Sequence, residues 1–152
     1  MANTKSAWAT GKQPMPSPVG SEVLNVLLSV EVAAGDLGAG DLIIMGELPA
    51  DCVLVDAVYA FDDLDSGGAP ALSLTFGTIN TGETDLDTTI EASITEGQAG
   101  GAARLTPTLA ALAVQGGSTG VAVGYKVATA AATGAAGTAQ LSLSYRAVAH
   151  GA

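Results

Sequence analysis

The sequence is short of almost everything that catalytic chemistry draws on. It holds one histidine and one cysteine in 152 residues. His150 stands two residues from the end, and chain termini are usually poorly ordered. No His–Ser–Asp or Cys–His arrangement is therefore expected. One Cys and one His offer no zinc-binding spacing, and a lone Cys52 excludes an internal disulfide framework. Cys52 lies in CVLVDAVYAF and is expected to be buried as a small hydrophobe. GAAGTAQ and GGSTG are glycine-rich but lack the lysine and the strand–loop–helix frame of a phosphate loop. The expectation is a protein without a cofactor, and not an enzyme.

Charge is scarce and separated by sign. Charged residues are 13% of the chain, about half the usual share of roughly 25%. All fifteen acids lie between Glu22 and Glu96, and the five bases (Lys5, Lys12, Arg104, Lys126, Arg146) all lie outside that span. A net charge of −10 without a clustered basic face argues against a nucleic-acid partner. Aromatics are only 4%, and all but Trp8 sit in strand patterns, which leaves little for stacking on sugars. A carbohydrate- or surface-binding module is thus the weaker alternative. No apolar run approaches the ~18 residues of a membrane helix, so no membrane partner is expected. The first residues lack the apolar core of a signal peptide, so a cytoplasmic origin is the default.

What the chain does hold is small apolar residues. Hydrophobic residues make up 48%, mostly Ala, Val and Leu. Apolar surface left over after folding usually marks contact sites. The composition therefore points to burial in an assembly.

Residues 1–21 read as an extended N-terminal arm, and 22–152 as one domain. The arm has two lysines, no acid, and Pro14, Pro16 and Pro18, which favour extended backbone and remove amide donors. Trp8, Lys5, Lys12 and the three prolines are its candidate partner-binding residues. Trp8 is the candidate anchor, because Trp is a favoured hot-spot residue.

From Glu22 on, strands alternate with Gly, Asp and Pro punctuation. Residues 23–32, 42–48, 52–61 and 71–79 read as strands by period-two alternation or short apolar runs. Stretch 81–101 reads as a long loop with a short helix capped by Asp87, carrying Ile90 and Ile94 at i, i+4. Stretch 103–114 reads as an edge strand or as a strand preceded by a turn at Pro107. Segments 119–129 and 138–148 read as a β-hairpin around AAATGAAG. Strands this short and frequent define an all-β, antiparallel β-sandwich, of jelly-roll type on this reading.

One cluster has chemical potential. In DDLDSGG (62–68), Asp63 and Asp65 precede glycines and faintly suggest a calcium loop. Calcium needs six to eight oxygens, and the twelfth-position Glu and flanking helices are missing. An Asx-type turn is the favoured reading, and no metal is expected.

The order of these features, with LPADCVLVDAVYAFDDLDSGGAPALSLTFGTIN in the middle and ATAAATGAAGTAQLSLSYR near the end, resembles head decoration (cement) proteins of tailed bacteriophages. That resemblance covers roughly residues 22–146. It implies a β-sandwich subunit, a homotrimer, bound to the major capsid protein on the outer surface of the virion, where it reinforces the shell. A tail, neck or head–tail connector component is the alternative within the same structural class.

Overall fold

Strict alternation builds β2 (Val23–Val32). Val26, Leu28 and Val32 are buried on one face, while Leu27 on the other is 58% exposed. The computed structural model, which describes residues 3–18 and 22–148, repeats this logic in two packed sheets. One sheet has the order β2-β9-β4-β7, from β2, β9 (Gly137–Ala147), β4 (Cys52–Phe61) and β7 (Gly101–Arg104). The other has the order β1-β3-β8-β5-β6, from β1 (Asn3–Lys5), β3 (Leu42–Leu48), β8 (Val121–Thr129), β5 (Ser73–Ile79) and β6 (Leu86–Ile94). All pairings are antiparallel except β1 on β3. The architecture is the expected all-β sandwich.

Three elements differ from the sequence reading. Residues 86–94 form β6 and not a helix. Ile90 and Ile94 are both buried, but a spacing of four puts residues on one face of a strand as well as of a helix. Stretch 103–114 holds the end of β7 and a single helical turn, α1 (Leu109–Leu112), capped by the Thr108 side chain, which accepts from the Ala111 amide at 3.0 Å. Strands β8 and β9 are not a hairpin: they lie in opposite sheets, and residues 130–136 cross between them.

The core between the sheets is aromatic at its centre despite the low aromatic content. Tyr59, Phe76 and Tyr125 are each fully buried. Tyr59 meets Phe76 at 5.2 Å and Tyr125 edge-on at 5.9 Å between centroids. Such pairs contribute about 0.5–1.5 kcal/mol each beyond area burial. The Tyr125 hydroxyl donates to the Gln140 carbonyl at 2.9 Å, linking the two sheets. A second, smaller cluster lies apart from this core: Leu42, Ile44 and Ile79, with Ala9, Leu86 and Ala122 packed against them.

Candidate interaction surfaces

The arm lies along its own chain. Its β1 pairs in parallel with residues 42–44, and the Ser6 hydroxyl donates to the Met45 carbonyl. This seals the edge of β3. Trp8 and Met15 are half-buried against the main core. The Tyr145 hydroxyl donates to the Pro16 carbonyl. Lys5 forms an ion pair with Glu83 at 2.6 Å. Lys12, Pro14 and Pro16 are exposed and Pro18 is half-buried. A groove of about 320 Å³ is lined by Trp8, Pro14 and Met15 of the arm and by Glu47, Pro49 and Thr119. The expected junction at residue 21, and His150, lie outside the described residues.

The two ends of the sandwich differ in character. Four loops meet at one end: 33–41, 62–72, 95–100 and 130–136. They carry Asp36, Asp41, Asp62, Asp63, Asp65 and Glu96 and no base. Asp65 is 1% exposed. Its carboxylate accepts the backbone amides of Thr133 and Ala71 at 2.7 Å and of Leu72 and Ala132 at 3.0 Å. These donors, the Thr133 amide foremost, hold its carboxyl down at about 2. Asp63 accepts the Asp65 amide at 3.1 Å, an Asx turn. Both Asp65 oxygens are thus aimed at N–H donors and tie loops together. Among the described residues no three His, Cys, Asp or Glu side chains converge as a metal would need.

The other end carries a long uncharged stretch. Between Arg104 and Lys126 the chain has no charge, and α1 projects Leu109, 91% exposed, and Leu112, 44% exposed. The loop that follows α1 packs on residues 49–51, since the Asp51 amide donates to the Gly117 carbonyl at 2.8 Å. The arm groove reaches Pro49 and Thr119 at this same end. The sequence reading missed α1 as a surface because apolar residues in an apolar run look like core. The available signal was Thr108 as a cap before LAAL.

Basic side chains are largely spent within the chain. Besides Lys5, Lys126 pairs with Asp85 at 2.6 Å and Arg104 with Asp56 at 2.8 Å. The Lys126 ammonium holds the Asp85 carboxyl below its ordinary value, and Asp56 raises the Arg104 guanidinium. Cys52 is buried, which pushes its thiol up.

Whole-chain comparison with solved structures finds phage capsid chains. A chain of the capsid of Ralstonia phage GP4 is 32% identical, with 97% of this chain and 100% of that one covered and a TM-score of 0.83. The chain belongs to the same family as that phage capsid chain. A chain of the cyanophage Pam1 capsid asymmetric unit shares the fold at 24% identity, over 91% of this chain and 96% of that one, with a TM-score of 0.69. No family model and no curated protein matches the chain.

Proposed function

We propose that the chain decorates and stabilises the outside of a tailed-phage capsid, binding between major capsid subunits as a homotrimer. The observation that carries this reading is the likeness over the full length of a phage capsid chain. The surface supports it: acidic loops gather at one end, and toward the other the exposed Leu109 and Leu112 and the groove beside the proline-rich arm offer apolar contact. Reinforcing a shell needs contact area and copy number, and a repeated subunit multiplies weak contacts. We read the strand order as that of a jelly roll, since β2 to β9 divide four and four between sheets and nearly every connection crosses between them.

The test is stoichiometry. Purified chain is mixed with mature shells that lack it and sedimented. Binding should saturate at a copy number comparable to that of the major subunit and should raise the temperature at which shells release DNA. A handful of copies per virion would move the protein to the tail or neck instead.

A further inference from the structure

The two sheets are finished differently on their outer sides. The five-stranded sheet is covered by its own chain. Ala9 of the arm and Ile79 and Leu86 flanking the β5–β6 turn pack on Leu42, Ile44 and Ala122. Among the described residues the four-stranded sheet has no such cover. Three of its large apolar side chains stand exposed: Val23 at 53%, Leu27 at 58% and Val58 at 36%. Register puts Leu27 beside Ser142 and Ser142 beside Val58, so Leu27 and Val58 flank a serine in one row. Around them the side chains are short. Asn25 donates to Ser142 and Ser144 at 2.9 and 2.8 Å and lies flat on the sheet.

The edge of this sheet is also unpaired among the described residues. Among the described residues β2 pairs only with β9, whereas β1 seals the matching edge at β3. Long apolar edges without Lys or Pro are templates for association unless something covers them. VLNVLLSVEV has neither.

Charge selects the occupant. Copies of a chain with net charge −10 repel one another over most of their surface. The strands of this sheet carry Glu31 and Asp56 against Arg104 and Arg146, so they sum to zero. We infer that the outer face and β2 edge of the four-stranded sheet are where a second copy of this chain packs. The inference rests on the self-assembly in the proposed function and names its surface: Leu27 and Val58 are the centre, and the acidic end stays clear of the contact.

The full chain and its Leu27→Lys and Val58→Lys variants are compared by sedimentation equilibrium, with melting followed by circular dichroism. Leu27→Ser serves if either lysine variant fails to fold. The wild type should be oligomeric, and each folded variant should raise the dissociation constant by about tenfold or more. A monomeric wild type, or variants that assemble like wild type, overturns the inference. Shell binding is measured in parallel. Variants that stay oligomeric but leave shells assign this face to the capsid instead. A wild type that assembles but never binds shells defeats the decoration reading while leaving this surface standing.

Discussion

The Asp65 carboxylate accepts the Thr133 backbone amide at 2.7 Å across 68 residues of sequence. The same carboxylate accepts amides from Ala71, Leu72 and Ala132. One acid thereby joins the β4–β5 loop to the β8–β9 crossing. Its carboxyl is held near 2, below the ordinary carboxylate value of about 3.9. A lowered value means that the ionised form is the one the fold favours. Its contribution is complete above about pH 4 and is lost as pH falls toward 2. Melting temperature should decline across that window. Asp65→Asn should melt lower at neutral pH and decline less steeply in acid. Asp63→Asn, at an exposed turn, should change little.

Tyr59 tests the opposite case. Its hydroxyl is buried and makes no well-formed hydrogen bond among the described residues, although the Glu91 carboxylate lies near it. Burial first, then the neighbouring Glu91 carboxylate, pushes its ionisation far up. Tyr59→Phe keeps the ring contacts with Phe76 and Tyr125 and removes a polar group that costs energy where it lies. Urea unfolding should show stability unchanged or raised by up to about 1 kcal/mol.

Gly124 and Gly77 face each other across β8 and β5. A β-carbon at Gly124 would lie 2.2 Å from the Ile43 carbonyl oxygen, and one at Gly77 2.2 Å from that of Thr88. Neither neighbour is a flexible side-chain end. Gly124→Ala should cost about 1–3 kcal/mol by the same unfolding measurement, because the backbone itself must shift.

Leu109 and Trp8 separate attachment from folding. Leu109→Ser at a 91% exposed position should change stability by no more than about 0.5 kcal/mol. It should weaken shell binding, measured by co-sedimentation. Trp8→Ala should lower stability as well, since Trp8 packs on the core. Deleting residues 2–20 should weaken attachment further and leave a body of reduced stability, because β3 loses its sealed edge.

Much of the fold could be read from the chain. Strands at 23–32, 42–48 and 52–61 appear with those bounds because alternation or a short apolar run has one stable outcome there. Residues 86–94 could not be read, because the four-residue spacing of Ile90 and Ile94 fits both periods. Ser93 also adopts a positive φ of 61°. That lies beside a register shift between Leu74 and Phe76 on the partner strand, which blurs the alternation. The sites were less legible still. Lys5 looked available to a partner, yet its own chain's Glu83 meets it. Asp65 reads as part of an Asx-type turn, and its carboxylate takes amides from as far away as Thr133, which leave no mark in side-chain identity.

Composition by itself determined that this protein has one His, one core cysteine, acids confined to one stretch and apolar residues in period-two patterns. Those are local properties, and a β-sandwich follows from them. Only tertiary structure decided which strands share a sheet, since period two states that a residue is buried and not what buries it. It sent β8 and β9 to opposite sheets and packed Ala9 of the arm, with Ile79 and Leu86 at the β5–β6 turn, over one outer face. Among the described residues the other face has no cover, with Leu27 and Val58 exposed on strands that carry no net charge.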